Sequence, residues 1–104
     1  MTTFDDRENA FENKFAHDEE LRFKAEARRN KLLGLWAAGL MGKTGEAADA
    51  YAMEVVAADF TEAGDEDVLR KVVGDLGARA DAATVRARMS DLMVEAKRQV
   101  MNEI

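Results

Sequence analysis

The sequence contains no cysteine and no proline, and only one histidine (His17), one serine (Ser90) and one isoleucine (Ile104). Without cysteine there is no disulfide scaffold, no cysteine-based zinc site, no thiol nucleophile and no sign of an oxidising compartment. Without proline there are no proline-directed turns, and β-branched residues are scarce outside eight valines, so an all-β fold is not expected. No apolar run approaches the roughly 18 residues that span a bilayer. The start, Met1-Thr2-Thr3-Phe4-Asp5-Asp6, lacks the basic and apolar regions of a signal peptide. The expectation is a protein that is neither membrane-inserted nor exported. With net charge −6 there is no basic field to neutralise nucleic-acid phosphates, so no nucleic-acid partner is expected.

Of 49 hydrophobic residues among 104, 19 are alanine, which leaves 30 large apolar side chains, enough for one small helical domain. Glycines punctuate four helical segments. The first runs from about Asp18 to Met41, with Leu21, Ala25, Leu32, Leu33, Trp36 and Leu40 at helical spacing, and stops at Gly42. The second, about Gly45 to Ala63, carries Tyr51, Met53, Val55, Val56 and Phe60. The third opens on Asp65-Glu66-Asp67, acids suited to a helix N-terminus, and continues through Val68, Leu69, Val72, Val73 and Leu76. The fourth follows Asp81 with Val85, Met89, Leu92/Met93, Ala96 and Val100. Short connections imply antiparallel neighbours. The expected fold is therefore all-α: an up-down four-helix bundle over 18–104, preceded by a frayed or weakly docked segment over 1–17.

Charge comes in blocks. Residues 1–20 sum to −5, residues 21–31 to +4 and residues 32–104 to −5. Blocks of this kind are usually solvated helix faces, and opposite charges at i,i+4, such as Glu20–Lys24, fit that reading. The N-terminal block is also aromatic. Four of five phenylalanines (Phe4, Phe11, Phe15 and Phe23) lie in the first 23 residues. At about 100° per residue the first three fall within about 40° of one another, a narrow stripe on a charged helix. Such a stripe either packs on the bundle or enters a groove on a partner. Burying three rings gains about 5–9 kcal/mol gross, against about 2–5 kcal/mol for ordering the segment, so the segment alone supports modest affinity.

Enzyme chemistry is poorly provisioned. Ser90 has no histidine in pattern with it, so no catalytic residue is assigned. The carboxylates follow neither a Glu-x-x-His nor a calcium-loop spacing, so no metal ligand and no required cofactor is assigned. His17 is flanked by Asp18, Glu19 and Glu20, where its proton is favoured; an ordinary exposed histidine is the simpler reading. Arg28 and Arg29 lie close to the apolar direction of the first helix, and at least Arg28 interrupts its face. That is the pattern of an arginine covering apolar surface or paired with an acid on another helix, with an anion site as the rival. Ala37 to Thr44 imitates the end of a phosphate-binding loop but follows a helix instead of a strand, so helix punctuation explains it better.

The run Phe11-Glu12-Asn13-Lys14-Phe15-Ala16-His17-Asp18-Glu19-Glu20-Leu21-Arg22-Phe23-Lys24, continued by Ala27 to Ala38, closely resembles the zeta subunit family of bacterial F-type ATP synthase inhibitors. The resemblance implies a four-helix protein that binds the catalytic head of the synthase and blocks ATP hydrolysis. Its implied partners are the catalytic alpha and beta subunits and the central stalk, at the cytoplasmic face of the inner membrane. It also implies that the N-terminal segment is the inhibitory element, acting at an interface between catalytic subunits. Phe4, Phe11 and Phe15 then serve as anchors, with Arg7, Glu8, Glu12 and Lys14 setting register through charge. The family's capacity for ADP or ATP directs attention to the basic cluster Arg22, Arg28, Arg29 and Lys31, on charge alone. Two other functional classes stay open: a sensor whose adenine-nucleotide site is the main function, and a generic adaptor bundle.

Overall fold

The computed structural model describes residues 18–58 and 65–103. Four α-helices account for nearly all of them: α1 (Glu19–Leu40), α2 (Gly45–Ala58), α3 (Glu66–Leu76) and α4 (Ala82–Asn102). A single 3₁₀ turn, Gly77–Arg79, sits between α3 and α4, and no strand occurs among the described residues. The first, third and fourth helices therefore fall where the glycine and acid punctuation puts them. The expected end of the second, at Ala63, lies outside the described residues, as does the whole of 1–17.

Local chemistry sets the ends. Asp18 caps α1 by accepting the Leu21 N–H at 3.1 Å, and Asp81 caps α4 by accepting the Thr84 N–H at 2.8 Å. α1 stops where Gly42 takes φ +78°, which lets the Lys43 N–H donate back to the Ala38 carbonyl at 2.8 Å. Asp65, placed to cap α3, makes no capping hydrogen bond. Its carboxylate is used elsewhere, as described below.

Contacts fix the up-down order. Tyr51 meets Asp75 and Glu54 meets Lys71, so α2 and α3 are antiparallel. Arg28 meets Gln99 and Glu103 while Arg88 stacks over Trp36, so α1 and α4 are antiparallel too. α1 is the central helix, packed most extensively on α2 and α4 and also touching α3. Its buried face is correspondingly broad: Leu33, Gly34, Ala37 and Ala38, spread over about 140° around the axis, are all buried. The α1–α2 approach depends on small residues, since a Cβ placed on Gly34 would stand 2.6 Å from the Ala52 Cα.

The main core joins Leu33, Ala37 and Ala38 of α1 to Tyr51, Val55, Val68, Leu69, Val72, Leu76, Val85 and Met89. A second, smaller cluster of Leu21, Ala25 and Val100, flanked by Met93 and Met101, holds the start of α1 against the end of α4. α1 and α4 are about twice as long as α3, with 22 and 21 residues against 11. Their paired ends thus run past α3, and this is where the chain before Asp18 joins the fold.

Candidate functional site

The seven residues expected to contact a partner, Phe4, Arg7, Glu8, Phe11, Glu12, Lys14 and Phe15, lie outside the described residues, as does His17. What the fold shows is their attachment point. Asp18 has extended backbone angles (φ −121°, ψ 101°), so the helix begins only after it. One turn beyond, Phe23 is 68% exposed, in a shallow depression with Glu19, Arg22 and Glu26. Phe23 is an aromatic ring held in water on the first turns of α1. The phenylalanine bias of the sequence contains this signal, but Phe23 falls off the stripe of the other three.

The basic residues of α1 do not converge. Arg22 belongs to the Phe23 depression. Arg28 and Lys31 share a second depression, of about 360 Å³, with Lys24, Ala27, Val56 and Glu103. Arg29 forms the floor of a third, of about 480 Å³, between α1, the start of α3 and α4. The separation follows from helical geometry: at about 100° per residue Arg28 and Lys31 face away from Arg29, while Arg22 shares the direction of Arg29 but lies seven residues, about 10 Å, earlier along the axis.

The two arginines also differ in depth. Arg28 is partly exposed, donates to the Gln99 Oε1 at 2.9 Å and pairs with Glu103 at 2.6 Å. Arg29 is the one that enters the interior, at 2% exposure. Its Nε donates to the Asn30 Oδ1 at 2.9 Å and its Nη2 to the Asp65 Oδ1 at 2.8 Å. The Nη2 hydrogen bond and the Arg29 charge hold the Asp65 carboxyl below the usual carboxylate range, against the opposing effect of partial burial. Both arginines therefore meet acids from distant parts of the chain, and Asp65 is drawn from capping α3 into tying α3 to α1. Beside Arg29, Asn30 is fully buried and its Nδ2 has no hydrogen-bond partner among the described residues.

Ser90 is exposed on α4, on the wall of the Arg29 cleft. Among the described residues no three histidine, cysteine or acidic side chains gather as a metal-ligand set, and no helix is long and apolar enough to cross a membrane.

Comparison with known proteins supplies the family. A solved structure, determined in solution by NMR, is 60% identical, with 81% of this chain and 99% of that chain covered at a TM-score of 0.75. No curated protein matches the chain. The family model for ATPase inhibitor subunit zeta matches residues 1–99. That match takes in the aromatic, acidic segment together with all but the last turn of the helical fold, and on it the chain belongs to the ATPase inhibitor subunit zeta family.

Proposed function

We propose that this chain inhibits an F-type ATP synthase by binding its catalytic head and inserting the N-terminal segment between catalytic subunits. The observation that carries this reading is the family match over residues 1–99, which includes the segment as well as the helices. In this reading Phe4, Phe11 and Phe15 anchor in the subunit interface, and Arg7, Glu8, Glu12 and Lys14 set register. Phe23 and Arg22, exposed on the first turns of α1, continue the contact onto the folded body. A wedge at that interface, extending to the central stalk, resists the rearrangement that hydrolysis-driven rotation requires. The helices supply a rigid handle, and the chemistry stays with the synthase. The site of action is then the cytoplasmic face of the inner membrane.

The test is Phe11→Ala with Phe15→Ala in an ATP hydrolysis assay on the purified synthase head. At about 1.5 kcal/mol or more per buried ring, the pair raises the half-inhibitory concentration about a hundredfold or more. The melting temperature stays near that of the parent, because both residues precede the α1 cap. Unchanged inhibition would reject the inserted-segment mechanism, and a large drop in melting temperature would show that the rings belong to the fold.

An adenine nucleotide remains a second proposed ligand, favoured by one feature. Lys24, Arg28 and Lys31 line the same 360 Å³ depression with a single carboxylate, Glu103. Titration with ADP should shift the amides of 24–31 and 103 while inorganic phosphate does not; shifts confined elsewhere would remove this assignment.

A further inference from the structure

The Arg29 cleft combines charged and apolar side chains in one lining. Its floor and walls carry Arg29, Arg86 and Lys97, against Asp65 in the lining and Glu66 paired with Arg86 at 3.2 Å. Its apolar lining comes from Met89, Met93 and Val94, and Val94 is 71% exposed. A ligand complementary to this surface offers carboxylates and large apolar groups on one narrow face. The N-terminal segment of the same chain offers both, with Phe4, Phe11 and Phe15 on one stripe and Glu8 and Glu12 beside it.

The connection point and the lengths agree with this pairing. The segment joins the fold at Asp18, and Arg29 lies eleven residues further along α1, about 16 Å by helical rise. Phe4 and Phe15 are also eleven residues apart, about 16 Å if helical. A segment folded back at Asp18 thus runs alongside α4 and brings its stripe over Met93, Val94 and Met89, with its acids near Lys97 and Arg86. Methionines suit such an apolar contact, since their unbranched side chains adapt to a ring.

We infer that residues 3–16 dock intramolecularly into the cleft between α1 and α4, so that the cleft masks the segment when no partner is bound. The regulatory consequence rests on the inhibitory role proposed above; the docking itself does not. A docked segment is unavailable to the synthase, and apparent affinity falls by the fraction undocked, about twofold when half of the molecules are docked.

Because the chain has no cysteine, Glu8→Cys gives a single site for a nitroxide on the full-length protein. Docking predicts loss of amide signal around Arg29 and from Met89 to Lys97, with the outer face of α2 around Glu54 and Ala57 unaffected. Adding Val94→Asp, an exposed position that the fold tolerates, restores those signals. No loss at the cleft, or equal loss on α2, overturns docking. Loss that appears between labelled and unlabelled molecules in a mixture assigns the cleft to a second copy and overturns it as well. In the hydrolysis assay, Val94→Asp alone should lower the half-inhibitory concentration by about the undocking factor, and an unchanged or higher value rejects the masking role. Inhibition without cleft signal loss sinks the docking and leaves the inhibitory role standing. Signal loss in a protein that does not inhibit does the reverse.

Discussion

Replacing Gly34 with alanine pits two effects of opposite sign against each other. In the interior of a helix, alanine is favoured over glycine by about 1 kcal/mol. At Gly34 the new Cβ meets the Ala52 Cα at 2.6 Å, and the Ala52 Cβ and a Val55 Cγ at 3.2 Å. The nearest atom is backbone, so it cannot rotate away, and relief requires α1 and α2 to separate by about an ångström. Overpacking of this kind costs about 1–3 kcal/mol. Here it acts at the most extensive helix contact of the molecule, between two helices that both feed the main core. Because the clash is with backbone, the upper part of that range, about 2–3 kcal/mol, applies, and against the alanine gain we expect a net loss on the order of 1–2 kcal/mol for Gly34→Ala, which lowers the melting temperature by roughly 4 °C or more. The controls are Gly39→Ala in α1 and Gly74→Ala in α3, where an added Cβ meets nothing within 4 Å. Both should stabilise, by up to about 1 kcal/mol. Urea unfolding of the three variants with parallel thermal melts decides the matter. If Gly34→Ala is as stable as the controls, the close α1–α2 approach is wrong.

Removing the Asp65 carboxylate with Asp65→Ala leaves Arg29 buried without its acid, and should cost on the order of 1–2 kcal/mol, because half-exposed Asp65 lets water compensate in part. Glu66→Ala, which breaks an exposed pair with Arg86, should change stability by no more than about 0.5 kcal/mol; equal losses in the two would deny Arg29 its special burial. Acid should destabilise the fold. Asp65 is held low by Arg29, Asp81 by its Thr84 cap, and Glu95 is lowered to about 2 by Arg98 and Gln99. Each contributes stability that is complete above its unfolded value near pH 4 and is lost as pH falls through the lowered one. Urea midpoints should therefore be level from pH 7 to about 5 and decline below about 4, and a midpoint that rises on acidification would contradict this.

The parts legible in the sequence were those written in local chemistry. Gly42, Asp18 and Asp81 mark helix ends through backbone conformation and capping, and each acts within a few residues of itself. What was not legible depended on partners far along the chain. Arg28 and Arg29 both lie near the apolar direction of α1, and the periodicity of one helix does not say that the start of α3, 36 residues away, arrives over Arg29. Asp65 was likewise a plain helix-start acid until that arrival drew its carboxylate away from capping. The basic block of 21–31 reads as one cluster along the chain, yet rotation around the helix turns the Arg28–Lys31 pair away from Arg29, and the rise along it parts Arg22 from Arg29, so that the block opens into three depressions. Phe23 was visible as part of an aromatic excess, but its exposure follows from which faces of α1 the other helices cover.

The claim that the N-terminal segment is the inhibitory element is tested most directly by removing it. A protein lacking residues 1–17, which keeps the Asp18 cap and every described helix, is compared with the full chain for inhibition of ATP hydrolysis by the synthase head. The account predicts that the shortened protein retains its helical circular dichroism and cooperative melt but no longer inhibits. Equal inhibition by the two proteins would contradict it and place the inhibitory surface on the helices themselves.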